Sequence, residues 1–389
     1  MSKRIFLAAL IGIAATHSLT ALAQPAAPFK IGLILPMTGP FASTGRQIDA
    51  AVKLYMAQNG ATVAGRKVEV VLRDDGGVPD QTRRHAQELI ATEKVAVLAG
   101  FGVTPAALAV SSLISQSKTP AVVMAAATSS IVASSPYFVR TSYTLPQTAV
   151  TMAEWANRNK LRKFVTMVSD YGPGIDAEKS FKERVLLNRG EIAGEIRIPM
   201  RNPDFAPFLQ KVRELAPDAV FVFIPSGPAV SLMKQFNERG LDKAGIKLIG
   251  DGGVTDDDTL NEMGDSALGI VTAFHYSAAH EGPTNRKFVD AFTAANKGMR
   301  PNFMAVGGYD GMRVIYKALE STRGKGEGDA LVAAMKGQTF ESPRGPVLID
   351  AQTRDIVQDV YIRRVERKQG QLWNVEIDVN KGVKDPRTN

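Results

Sequence analysis

Chemistry-bearing residues in this chain gather at turns rich in small and hydroxylated side chains. Pro36-Met37-Thr38-Gly39-Pro40-Phe41, Gly100-Phe101-Gly102-Val103-Thr104, Ala125-Ala126-Ala127-Thr128-Ser129-Ser130 and Pro225-Ser226-Gly227-Pro228 all follow apolar runs, and most open a helical pattern. The start of a helix attracts an anion, because its backbone N–H groups lack partners and the helix dipole is positive there. Thr104 and Thr128 stand where a hydroxyl would complete such a site; plain N-capping is their competing role. Ser169-Asp170-Tyr171-Gly172-Pro173-Gly174 sets an aromatic with a polar tip at another turn, either as the wall of a ligand site or as packing for the turn itself. Asp251-Gly252-Gly253 offers a carboxylate at a third, or an ordinary Asp-Gly turn.

Catalytic constellations are missing from the same turns. The chain has no cysteine, which excludes disulfides, thiolate metal sites and nucleophilic thiols, and its four histidines show no metal-ligand spacing. Ser129-Ser130 lacks the Gly-x-Ser-x-Gly frame of a nucleophile elbow, and the glycines match neither a dinucleotide nor a phosphate-loop fingerprint. Asp74-Asp75 reads as a turn cap ending a strand. We therefore expect neither enzymatic activity nor a metal or cofactor.

These turns need a scaffold, and the pattern around them alternates strand and helix. Apolar runs predict strands at 29–35, 67–72, 95–99, 121–124, 164–168, 191–198, 219–224 and 246–249. Amphipathic spacing predicts helices at 45–59, 80–92, 105–116, 147–158, 176–189 and 205–215. Two tandem blocks of this kind predict an α/β fold of two Rossmann-like lobes, with a first crossing at Ser142–Pro146. A length of 389 residues exceeds what one core usually supports and agrees with two lobes. Ahead of them, Lys3 and Arg4 precede the apolar run Ile5–Ala15, and Ala21-Leu22-Ala23 supplies a cleavage pattern, so residues 1–23 are expected to be an export signal. The net charge of +8 is dispersed, and no basic stripe suggests nucleic acid.

Ile31-Gly32-Leu33-Ile34-Leu35-Pro36-Met37-Thr38-Gly39-Pro40, the following Gly45, Arg73-Asp74-Asp75, Ala126-Ala127-Thr128 and Asp170-Tyr171-Gly172-Pro173-Gly174 occur in an order that resembles the periplasmic leucine/isoleucine/valine-binding proteins. The resemblance implies type I binding lobes joined by three crossings. One lobe would hold 24–142 plus 275–352, the other 143–274 plus 353–389. It implies a monomeric receptor, free in the periplasm, that delivers a small carboxylate to an inner-membrane ABC permease. By position, Thr104 resembles the residue holding the ligand carboxylate, Ala126 and Thr128 those holding its head, and Tyr171 the aromatic that closes over it. Thr44 and Ser226 stand where leucine-binding members carry larger aromatics.

At Gly252 such members carry an acid that pairs with the ligand ammonium. A glycine there implies an apolar or aromatic monocarboxylate as ligand, with Phe101, Tyr171 and His275 or Tyr276 around it, since a buried unpaired ammonium is costly. A branched-chain amino acid paired by Asp251 is the alternative, and a ligand-sensing regulator of the same fold is a second.

Overall fold

The computed structural model describes residues 27–200 and 203–387, so the expected export segment lies outside the described residues. The first sheet comprises β1 (Phe29–Leu35), β2 (Thr62–Val63), β3 (Arg66–Asp74), β4 (Val97–Gly100), β5 (Ala121–Val123) and β6 (Phe138–Arg140), in the order β2-β3-β1-β4-β5-β6. All pairings but the β2–β3 hairpin are parallel. Helices returning the chain over both faces bury strands such as β1 and β4, which explains their nearly unbroken apolar runs. The helix expected over 105–116 breaks at Val110 into Thr104–Ala109 and Ser111–Ser117.

The second sheet contains β7 (Lys163–Ser169), β8 (Glu191–Ile198), β9 (Ala219–Phe223), β10 (Lys247–Asp251), β11 (Val271–Phe274), β12 (Thr339–Ser342), β13 (Gly345–Ile349), β14 (Ile356–Lys368) and β15 (Gln371–Val383). Its order is β12-β13-β14-β11-β10-β9-β7-β8, with β15 paired to β14. Strands β7 to β11 pair in parallel, whereas β12 to β15 add antiparallel neighbours.

The stretch 275–352 straddles the two sheets. Helix Pro283–Ala295 and helix Phe303–Ser321 pack on helix Ala42–Asn59, with Phe288 and Phe292 sharing a core with Leu54, and Met312 and Ile315 one with Ile48 and Val52. Strands β12 and β13 hydrogen-bond into the second sheet through β14, yet Val347 and Ile349 of β13 sit in the first sheet's core.

Two buried ion pairs tie the crossings together. Arg140 Nε lies 2.8 Å from Asp355, and Arg344 Nη2 lies 2.8 Å from Asp310. Arg344 also donates to the carbonyls of Thr141 and Ser142 and to Gln358. Burial pushes the Asp355 carboxyl up to about 6 against the opposing pull of Arg140. Geometry of this kind makes an isolated partner expensive, because a desolvated charge would be left without compensation.

Candidate ligand-binding site

Between the sheets, at the carboxyl ends of their parallel strands, lies a cavity of about 160 Å³. A cavity of that order accommodates a single aromatic ring. Position follows from topology, since turns after parallel strands converge where the sheets face each other.

The first lobe supplies a hydroxyl-bearing wall. Ser43, Thr44, Thr104 and the turn Ala125–Ala127 line it. Thr104 is the first residue of its helix rather than the cap, and its hydroxyl is paired with that of Thr128 at 2.9 Å. Thr128 itself is absent from the wall and steadies Thr104 from behind. Ala126 lines the cavity, but its main chain is engaged inside the protein: its N–H donates to the Phe101 carbonyl, and its own carbonyl accepts from Arg140 and Ser142. Arg140 also binds the carbonyls of Thr128 and Tyr143, and so fixes the shape of the turn.

Phe101 requires a correction. It was expected beside the ligand, but its φ of +63° turns the side chain into the core, where it is fully buried and meets Phe138 edge-on at 6.2 Å. His275 and Tyr276 are also away from the cavity. Tyr276 donates to Asn285 at 3.1 Å, and His275 stacks behind Tyr143 at 4.6 Å. Burial holds the His275 imidazole well below its ordinary value, hence neutral.

The second lobe contributes an aromatic and acidic wall. Tyr171, in extended conformation just ahead of helix Gly172–Leu187, lies 6.2 Å from Phe223 at the end of β9, and both rings face the cavity. Ser226, at the start of helix Ser226–Glu238, borders them. Asp251 ends β10, is 1% exposed and lines the cavity. Its Oδ1 accepts from Gly253 N at 2.9 Å and its Oδ2 from the Thr148 hydroxyl at 2.7 Å. Burial raises its carboxyl to about 6, opposed by these two bonds and by Arg363. Asp256, also on the wall, is raised to about 7 by burial while accepting from the Asn302 amide. At the rim Ser43 donates to Asp258 at 2.7 Å, joining the two lobes.

The expectation built on Gly252 also changes. A Cβ at that position would meet Phe274 and Arg363, not the cavity. Asp251 is the acid of this turn that reaches the ligand space. Tyr143, Met200, Phe223, Asp256, Asn302 and Phe303 also line the cavity without having been singled out. Only Asn302 carried a local signal, as the cap whose side chain accepts from Met304 N and Ala305 N.

Residues 28–371 match the family described as periplasmic binding protein. Over 388 residues the chain is 43% identical to Leu/Ile/Val-binding protein homolog 6 of Brucella melitensis biotype 1, spanning 99% of this chain and 98% of that protein. It superposes with a TM-score of 0.91 and 57% identity on a solute binding protein of an ABC transporter from Rhodopseudomonas palustris BisB5 in complex with 3,4-dihydroxybenzoic acid, covering 93% of this chain and 99% of that one. A second such protein, from R. palustris and in complex with 4-hydroxybenzoate, aligns with a TM-score of 0.89 and 39% identity over 93% of this chain and 99% of its own.

Proposed function

The chain belongs to the periplasmic binding protein family, with two Rossmann-like lobes and a cleft between them, and on that premise we propose that it is the periplasmic receptor of an ABC importer for single-ring aromatic carboxylates. The observation that carries this reading is the ring-sized cavity, with hydroxyls on one wall and Tyr171 and Phe223 on the other, in a chain 57% identical to a receptor holding 3,4-dihydroxybenzoic acid.

In this reading the first lobe receives the carboxylate. Thr104, oriented by Thr128, and the hydroxyl of Thr44 offer donors there, while no lysine or arginine lines the cavity among the described residues. Aromatic faces of Tyr171 and Phe223 then cover the ring as the lobes close by a hinge motion. Closure turns on three crossings near residues 142, 275 and 352, and the closed form is what the membrane permease would engage.

Denaturing the purified protein and identifying the released small molecule by mass spectrometry tests the proposal. An aromatic acid supports it, and an aliphatic amino acid sinks it. The amino-acid reading has one observation in its favour, the Asp251 carboxylate on the cavity wall, which could pair an ammonium.

A further inference from the structure

We propose that Asp251 selects, among aromatic carboxylates, those bearing a hydroxyl on the ring edge remote from the carboxylate. The inference rests on the aromatic-carboxylate reading above and names the ligand class within it.

Orientation comes first. Asp251 and Asp256 both line the second wall, and the cation facing them, Arg363, stands behind the turn: its guanidinium donates to the Gly252 carbonyl and lies over the Phe274 ring. A ligand carboxylate is repelled by that wall and attracted to the hydroxyls of Thr44 and Thr104 opposite. Its far edge therefore points toward Asp251.

Acceptor capacity comes second. An ionised carboxylate can accept about four hydrogen bonds. Asp251 takes one on each oxygen, from Gly253 and from Thr148, which leaves both oxygens able to accept from the cavity. With its carboxyl at about 6 it is ionised at neutral pH and above. Tyr143 and Tyr171 flank it, and burial, with the Asp251 charge added, keeps both phenols neutral. A ligand phenol in this place donates to a charged, desolvated acceptor, a bond roughly twice as strong as a neutral one. A bare ring edge displaces water from Asp251 and returns no donor, which is how a site built to bind a hydroxyl rejects the analogue that lacks it. The ligands of the two solved relatives described above, 3,4-dihydroxybenzoic acid and 4-hydroxybenzoate, carry ring hydroxyls, whereas a solute-binding protein only 29% identical to this chain is in complex with benzoate.

Isothermal titration at pH 8 with benzoate, 4-hydroxybenzoate and 4-methoxybenzoate, on the wild type and on Asp251→Asn, tests the inference. The expected result is that wild type binds 4-hydroxybenzoate at least about tenfold tighter than either of the others. In the variant the preference for 4-hydroxybenzoate over benzoate collapses toward one. An unchanged preference in Asp251→Asn overturns the inference. So does equal binding of the methoxy and hydroxy acids by wild type, an arm that does not depend on the variant folding. If wild type binds none of the three, the aromatic-carboxylate reading falls and this inference with it, an outcome distinct from equal binding of all three.

Discussion

Phe274 occupies the space that a side chain at Gly252 would need: a Cβ there would collide with Phe274 Cγ and with Arg363 Nη2. The glycine is thus a packing requirement of the turn after β10, imposed by an aromatic on β11 and a guanidinium on β14. It also places the acid one residue earlier, where Asp251 is bonded to Thr148 and faces the cavity.

Replacing Gly252 by Ala should therefore lower stability without adding anything to the ligand site. Overpacking a tight core typically costs about 1–3 kcal/mol, which a thermal melt reads as a fall of several degrees. A melt identical to wild type would show that the turn relaxes freely and that the glycine is incidental.

Removing Arg140 should damage both fold and site. Its guanidinium pairs with Asp355 and holds the carbonyls of Ala126, Thr128 and Tyr143. Arg140→Ala leaves Asp355 buried without a counter-charge, a loss of about 3–5 kcal/mol. Urea unfolding measures it, and adding Asp355→Leu should recover part of the loss. A cost below about 1 kcal/mol would mean that the pair behaves like an exposed one.

Asp256 should make stability pH-dependent in a defined direction. Burial raises its folded value to about 7 from 3.8. Because the folded value is the higher one, its contribution is fully present below about pH 4 and is lost as pH rises through 7. Stability of wild type relative to Asp256→Asn should accordingly increase as pH falls from 8 to 5. His275 titrates with the opposite sign, but it is common to both proteins and cancels in the difference. A difference that is flat over this range would contradict the burial described here.

Tyr171→Ala should weaken an aromatic acid by about tenfold or more, because the variant loses both ring contact and apolar cover. Tyr171→Phe should retain most of the affinity. Equal loss in both variants, measured by titration with 4-hydroxybenzoate, would assign the tyrosine's role to its hydroxyl instead of its ring.

The scaffold was legible where local pattern and tertiary role coincide. Strands such as β1 and β9 are covered on both faces and so read as apolar runs. Thr44, Thr104, Tyr171, Ser226 and Asp251 reach the cavity because each stands at a strand's end or near the start of the next helix. Phe101 stands in such a turn too, but its positive φ sends the ring inward, and composition does not report a dihedral angle. Tyr143 and Phe303 come from the crossing after β6 and the start of a helix that packs across from the second wall. Their place in the cavity depends on three-dimensional packing alone. Strand β15 alternates apolar and polar residues from Val375 to Asn380, a strand signal the sequence did carry, and it pairs along the edge that β14 offers.

Titration of ligand-stripped protein with 3,4-dihydroxybenzoate and, separately, with leucine tests the central claim most directly. The account predicts micromolar or tighter binding of the aromatic acid and none of leucine at the same concentrations. Tight leucine binding with no response to the aromatic acid would contradict it and make Asp251 the partner of an ammonium.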